Sequence, residues 1–459
     1  MSGRPIVTAA EMRAAEQAAI DGGTPVETLM DRAGTAAAEA IWRYAGPLPT
    51  LVLCGPGNNG GDGYVIARRL AERGMAVTVA ALAEPASPAA NAARAGWSGP
   101  VVALDQAKPA PLLVDALFGT GLSRPLDPAV AEMLGRLAGQ ARVRAAADLP
   151  SGVATDDGHI LSPVPDFDLT ITFAALKPSH LLQPAARHMG RLVLADIGLA
   201  VESRVSEVSR PRLRRPGPDD YKYSRGYVAV LAGEMPGASA LTAGGAARSG
   251  AGYVRLISGE TLPAVPAAVV QSRGEPATLL EDDRIGAVAV GPGLGRDRRA
   301  RTRLDIALHC GRPLVLDADA LVLIAGRGRP LALPHVAILT PHAGEFARLW
   351  SGGEGGKIAE ARAAAAAWGA VIVFKGPDTV VAAPDGRAAV AAVPSTLATA
   401  GTGDVLTGVI AAMRAAGLEP FEAACAAIWL HARAGELAGP VLIADDLLRH
   451  LPAAAASCL

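Results

Sequence analysis

The residues Ala398-Thr399-Ala400-Gly401-Thr402-Gly403-Asp404, followed at once by the apolar helical run 405–415, have the composition of a phosphate site with a built-in base. Small residues ahead of a helix let backbone N–H groups approach an anion closely, and the helix N-terminus adds a favourable dipole. Asp404 falls in the first predicted turn. There the dipole stabilises a carboxylate as the anion, placed to take a proton from a hydroxyl lying beside the phosphate. Gly-Thr-Gly-Asp is equally the sequence of an ordinary helix-capping turn. The choice between the two rests on what accompanies it.

Three further strand ends in the same half carry polar chemistry. Ala289 to Gly295, AVGPGLG, is an apolar strand that breaks into glycines. LTPHAGE follows another strand and sets His342 and Glu345 three residues apart, with no third ligand at metal spacing. The metal reading is weak; contacts to a substrate are favoured over zinc, with a capping role for Glu345 as the alternative. VIVFKGPDT places Lys375, one of only five lysines, just past a strand and beside a glycine. It is either a solvated surface charge or a point charge for phosphate oxygens, and the nearby Gly-Thr-Gly-Asp helix start favours the second reading.

The first half has its own strand-end motifs. Thr50 to Cys54 runs into GPGNNGGDG, residues 55–63, and then into the amphipathic stretch 64–73. Strand, glycine loop and helix place a ligand at the carboxyl end of a sheet. Asn58, Asn59 and Asp62 offer oxygens to a hydroxyl, an amide or a cation. The pattern is not GxGxxG, and a purely structural turn is the alternative. VDALFGTGLSRP (114–125) and ADLPSG (147–152) also end apolar strands, bringing Asp115 and Asp148 to the same sheet edge.

Elements to position these residues are readable from the periodicity. Helical spacing spans Ala9 to Asp21 and 26–45, and strands are expected at 51–54, 76–82, 112–117, 145–148, 169–173 and 191–197. That alternation predicts a doubly wound parallel sheet. The text then changes: SRVSEVSRPRLRRPGPDD, 203–220, holds three prolines and five arginines and reads as a linker. A second β/α series follows, with strands at 227–232, 253–257, 287–290, 313–316, 336–339 and 371–374, and helices at 238–249 and 359–368. The expected fold class is α/β in two domains, 1–205 and 221–459, joined by 206–220.

Composition narrows the function. At 459 residues the chain exceeds one ordinary core, and its net charge of −1 gives no pull towards nucleic acid or membrane, so a small ligand is expected. The four cysteines have no metal or disulfide spacing, and neither a signal sequence nor a membrane span is evident, so a cytoplasmic protein is expected. The Ala-rich, aromatic-poor surface is compatible with several assemblies, and a homo-oligomer is expected.

GPGNNGGDGYVIARRL, VDALFGTGLSRP and DLPSG together resemble the epimerase domain of the bifunctional NAD(P)H-hydrate repair enzymes, over most of residues 1–200. GPGLG, LTPHAGE, FKGPDT and LATAGTGDVLTG, in that order, resemble the ADP-dependent dehydratase domain of the same enzymes, which is ribokinase-like, over about 221–451. The first resemblance implies that Asn58, Asn59, Gly60, Gly61 and Asp62, with Gly119, Thr120, Gly121, Leu122, Ser123, Arg124 and Pro125, bind hydrated NAD(P)H. It also implies that Asn59, Asp115 and Ser151 hold K+ and that Asp148 meets the substrate near the epimerised carbon as a catalytic residue. The second implies that Ala238, Gly293, His342 and Asp404 contact the hydrate. Lys375, Gly376, Pro377, Asp378, Thr379 and Gly403 would hold ADP, with Mg2+ accompanying the nucleotide. Local departures from the family pattern are YKYSRGY at 221–227 and GPDT at 376–379.

The resemblance implies repair of NADHX and NADPHX. The first domain would interconvert R and S epimers, and the second would use ADP as phosphoryl donor to dehydrate the S form, with Asp404 as base. Two competitors remain: a ribokinase-type kinase that stops at the phosphorylated product, and a first half that only binds ligand or partner.

Overall fold

Short runs of Leu, Val and Ile separated by alanine-rich amphipathic stretches fold, in a computed structural model, into two α/β units; residues 3–262, 264–327, 335–353 and 355–459 are described. The first unit spans Arg4–Ser203. Its strands are β1 (Thr50–Cys54), β2 (Val77–Ala81), β3 (Val101–Ala103), β4 (Leu112–Ala116), β5 (Val143–Ala147), β6 (Leu169–Phe173) and β7 (Arg191–Ala195), all parallel, in the order β3-β2-β1-β4-β5-β6-β7. Helices α1 (Ala9–Asp21), α2 (Val26–Ala45), α3 (Asn58–Glu72), α4 (Pro88–Ala95) and α5 (Pro128–Gln140) accompany them.

Side chains of β1 alternate between two cores. Val52 and Cys54 pack with Ile41 of α2 and Ile66 of α3, whereas Leu51 and Leu53 pack with Leu134 and Leu137 of α5. Burial on both faces is why the strands read as continuous apolar runs. Strand order reverses between β1 and β4, and a doubly wound sheet opens a crevice at such a point.

One expectation is corrected here. Residues 58–63, read as part of a glycine loop, form the first turns of α3. Their glycines serve close packing: a Cβ on Gly60 would collide with the Gly55 carbonyl, one on Gly61 would lie 2.6 Å from the Met30 sulfur, and one on Gly63 2.8 Å from both Cys54 Sγ and Ala116 Cβ.

The second unit comprises Arg204–Leu459. Its strands are β8 (Val205–Glu207), β9 (Tyr227–Leu231), β10 (Tyr253–Ser258), β11 (Val270–Arg273), β12 (Ala287–Val290), β13 (Leu314–Leu316), β14 (Ile338–Leu339), β15 (Val371–Phe374), β16 (Asp378–Ala382) and β17 (Ala388–Ala392). They form one sheet in the order β11-β10-β9-β12-β13-β14-β15-β16-β17-β8, parallel except where β16 meets its two neighbours. Its helices are α6 (Pro236–Arg248), α7 (Pro276–Leu279), α8 (Arg298–His309), α9 (Ala318–Ala325), α10 (Ala343–Leu349), α11 (Lys357–Trp368), α12 (Thr402–Ala415), α13 (Pro420–Ala438) and α14 (Ala444–Ala456). Helices α6 and α12 approach closely through glycine: a Cβ on Gly408 would collide with the Thr242 carbonyl, and one on Gly245 would stand 2.5 Å from that of Val405.

The expected linker, 206–220, is not free chain. Strand β8 pairs in parallel with β17, the Val208 N–H donates to Val390 O at 2.8 Å, and the Leu213 N–H donates to Cys458 O at 2.9 Å. Its proline and arginine content suits an edge segment, where prolines leave no ladder bond unmade and charges stay wet. The division between units falls at Ser203–Arg204, ahead of the expected start at residue 221. Among the described residues, no helix is long and apolar enough to cross a membrane.

Candidate active sites

In the first unit the carboxyl ends of β1, β4 and β5 open onto a cavity of about 490 Å3. Asn58, Asn59, Asp62, Gly119, Thr120, Gly121, Leu122 and Asp148 line it, so the three strand-end motifs share one wall. Gly60 and Gly61 instead lie in the packing of α3. Ser123, Arg124 and Pro125 continue the loop past the lining residues.

Asp148 sits at φ 63°, a backbone conformation uncommon outside glycine and a cost that persists where the surroundings enforce it. Those surroundings are dense. Lys177 Nζ donates to its Oδ1 at 2.6 Å and Thr172 Oγ1 at 3.0 Å, while the Thr120 N–H donates to Oδ2 at 3.1 Å and the Thr120 hydroxyl also reaches Oδ2. Burial works against the charge, yet Lys177, His180 and these hydrogen bonds outweigh it and hold the Asp148 carboxyl down at about 2. Two other carboxyls in the cavity go the opposite way. Asp62 is pushed well up by burial and by Asp148 and Glu16; Glu16 of α1 is raised by burial and by Asp148. Carboxyls pushed in opposite directions therefore share one cavity, the separation that acid–base chemistry needs.

Behind this wall Asp115 is wholly buried. Its Oδ1 accepts from Leu117 N–H (3.1 Å) and Ser151 Oγ (2.8 Å), its Oδ2 from Ser151 N–H (2.8 Å), and no cation pairs with it among the described residues. Burial raises it to about 6 despite these bonds. Asn59 Nδ2 is buried without an acceptor, and turning that amide over offers Oδ1 instead. A buried carboxylate without a counter-charge, a hydroxyl and an amide form an oxygen set that suits a hard cation.

In the second unit the strand-end motifs follow β12, β14 and β15, and Lys375, after β15, stands beside Gly403 at the start of α12. Gly401, at φ 85°, is the N-cap of α12 and supplies no side-chain cap, so the first-turn N–H groups lack a capping partner. That is an anion site in waiting. Lys375 Nζ donates to Asp317 Oδ1 at 2.8 Å, and Thr407 Oγ1 of α12 donates to Asp317 Oδ2 at 2.7 Å. His431, held neutral by a burial that lowers it to about 4, must donate its Nε2–H to the Thr402 carbonyl, 2.9 Å away, and so braces the turn from α13.

Asp404 departs from the expected stabilised anion. Burial and the neighbouring Asp317 raise it to about 6, with Lys375 opposing, so desolvation outweighs the helix dipole. A carboxylate poised there is a better base near neutrality than one held at its usual value.

The other expected contacts divide. Gly293 and Ala238 are neighbours: a Cβ on Gly293 would lie 3.0 Å from that of Ala238, and Met235 N–H donates to Gly293 O at 3.0 Å. His342 caps α10, its Nδ1 accepting from Gly344 N–H (3.0 Å) while Glu345 Oε2 accepts from His342 N–H (2.9 Å). The capping role weighed for Glu345 is thus occupied, and the exposed His342 ring also has its Nε2 3.5 Å from Glu345 Oε1. In 376–379, Thr379 Oγ1 bonds back to Gly376, and Asp378, at the head of β16, takes Lys357 Nζ at 2.5 Å. Gly403 stands beside Lys375 and Asp317. The divergent segment 221–227 precedes β9, at the amino-terminal edge of the sheet, opposite these strand ends.

Comparison with known proteins shows the family. A family model for NAD(P)H-hydrate dehydratase matches residues 228–450, and one for the YjeF-related protein N-terminus matches 26–179. The bifunctional NAD(P)H-hydrate repair enzyme Nnr of Salinibacter ruber is 35% identical over 98% of this chain and 96% of its own. The chain belongs to this family. The Escherichia coli relative is 33% identical, over 93% of this chain and 88% of its own. A solved ADP/ATP-dependent NAD(P)H-hydrate dehydratase from Bacillus subtilis, co-crystallised with ATP and Mg2+, is similar at 31% identity, covering 54% of this chain and 95% of that one, with a TM-score of 0.48.

Sequence reasoning passed over three residues that geometry brings into these sites. Lys177, 1% exposed, was one of five lysines and follows an apolar strand end, AALKPSH, which was its available signal. Asp317 directly follows β13 in LVLDAD, a strand-end signal like that of Asp115. Glu16 gave none: an acid on an amphipathic helix reads as surface.

Proposed function

We propose that the chain repairs hydrated NADH and NADPH in two steps, one per unit. The observation carrying this reading is the pair of unlike acid–base centres at strand carboxyl ends, in a chain of this family along nearly its whole length.

In the first unit Asp148, kept anionic by Lys177, is the base for epimerisation at C6 of the hydrate, beside loops 58–62 and 119–125. Asn59, Asp115 and Ser151 would hold K+, which when bound supplies the counter-charge that buried Asp115 lacks.

In the second unit hydroxide is a poor leaving group, and a phosphoryl donor solves that. Asp404 takes the proton of the C6 hydroxyl of the S epimer as that oxygen attacks the β-phosphate of ADP, releasing AMP. First-turn N–H groups of α12, with Lys375, meet the charge that develops. Loss of phosphate from C6 and of a proton from C5 restores the dihydropyridine. Gly376, Pro377, Asp378, Thr379 and Gly403 lie along the nucleotide, and Ala238, Gly293 and His342 along the hydrate. Mg2+ accompanies the nucleotide phosphates rather than a protein cage. We place this activity in a homo-oligomer in the cytoplasm.

The test mixes full-length protein with both NADHX epimers and follows NADH absorbance with ADP, ATP or neither. Full recovery with ADP is the expected result. Accumulation of a phosphorylated product without NADH would instead mark a kinase, and recovery of the S fraction alone, beyond spontaneous epimerisation, would leave the first unit a binding module.

A further inference from the structure

Helix α1 lies outside the 26–179 stretch that the family model matches, yet it walls the first unit's cavity with Met12, Arg13 and Glu16. Met12 and Glu16, four residues apart, share a helix face. The helix is firmly placed. Thr8 and Glu11 form a reciprocal capping box, and the Ala9 N–H donates to Asp156 Oδ1 at 2.7 Å. Glu16 itself makes no ion pair or hydrogen bond among the described residues, so its carboxyl is not consumed by structure.

Epimerisation at C6 needs an acid as well as a base. If hydroxide leaves, its oxygen must be protonated; when water returns, a proton must be removed. Asp148, held as the anion by Lys177 and by the Thr120 and Thr172 hydroxyls, carries no proton to supply at that first step.

Resting on the epimerase reading of this unit, we propose that Glu16 is the proton donor of the epimerisation, paired across the cavity with the Asp148 carboxylate. The C6–O bond breaks as the Glu16 carboxyl proton passes to the departing oxygen. The N1 lone pair forms an N1=C6 bond, and water is released. A water adding to the other face of C6 returns that electron pair to N1 and gives one proton to Asp148. Proton exchange with solvent moves it back to Glu16, which lines both this cavity and a smaller one beside it.

The charged groups facing Glu16 are Arg13 on its own helix, Asp62 of α3, Asp148 after β5 and Lys177 after β6. Burial and the Asp148 anion push the Glu16 carboxyl up, against Lys177 and Arg13. Asp62 shares the wall but belongs to the first turns of α3, between glycines packed against Gly55, Met30 and Cys54.

The experiment measures epimerisation of R-NADHX by full-length protein, with excess S-directed dehydratase activity as readout, across pH. Wild type should lose rate at high pH as Glu16 ionises. Glu16→Gln should lower kcat roughly 100-fold with KM little changed and abolish that alkaline limb. Glu16→Asp, which keeps a carboxyl on the wall, should recover at least part of the rate and a shifted limb. A Glu16→Gln enzyme with wild-type rate and pH profile, while Asp148→Asn is inactive, overturns the proposal and leaves the epimerase reading intact. Loss of the limb in Asp62→Asn but not in Glu16→Gln assigns the donor to Asp62 and overturns it too. Equal losses in Gln and Asp variants with the limb unmoved assign Glu16 to packing. A wild-type chain no faster than spontaneous epimerisation removes the proposal together with the reading beneath it.

Discussion

Single side chains in this protein are set by what lies within one hydrogen bond of them. Asp404, at about 6, loses its base form as the pH falls, so the dehydratase rate should decline on the acid side with a midpoint near that value. Asp404→Asn should cut kcat by at least about 100-fold. The same substitution should raise the melting temperature of the second unit at pH 7. A carboxyl with a raised native pKa favours folding only while protonated, and that benefit is lost as pH rises through about 6. Asp317→Asn removes a like charge, so the acid limb of the dehydratase should move to lower pH. With the Lys375 anchor gone, the nucleotide KM should rise about tenfold. In the first unit Lys177→Met leaves Asp148 charged and unpaired in a buried site. Breaking such a pair costs about 3–5 kcal/mol, measurable by urea unfolding followed through hydrogen exchange in residues 4–203.

Helices and strands decide where those side chains can be. Of the expected strands, Leu169–Phe173, Ala287–Val290 and Val371–Phe374 are observed residue for residue, and helices Ala9–Asp21 and Val26–Ala45 likewise. Fully buried parallel strands and strongly amphipathic helices announce themselves in the periodicity. The β16–β17 hairpin and β8 did not. The partner of β8 comes from distant sequence, and no local pattern shows that 205–207 will pair beside 388–390, whereas β16 and β17 pair as neighbours in the chain. The glycines of 58–63 were legible as unusual but not as helical, because their purpose is the backbone, sulfur and methyl groups that approach them from elsewhere. Gly408 plays that part between α12 and α6. Gly408→Val should destabilise the second unit by about 1–3 kcal/mol and displace the Gly401 turn, lowering dehydratase activity while epimerisation persists.

At the scale of the whole chain, two units each carry their own sheet, core and acid–base centre. Their chemistries should therefore separate genetically. Asp148→Asn protein should still dehydrate S-NADHX at the wild-type rate, and Asp404→Asn protein should still interconvert epimers, both read on full-length enzyme by chromatography of the epimers. The sequence alone was enough to read two α/β domains, the strand-end motifs and the family, since these depend on local periodicity and on residues close together in the chain. Tertiary structure alone decided which residues of distant sequence come together: Lys177 bonded to Asp148, Asp317 between Lys375 and Thr407, and Glu16 with Asp62 lining one cavity. It also decided protonation. The helix dipole acting on Asp404 is a local term that the sequence displays, whereas the burial and the Asp317 charge that overcome it exist only once the chain has folded.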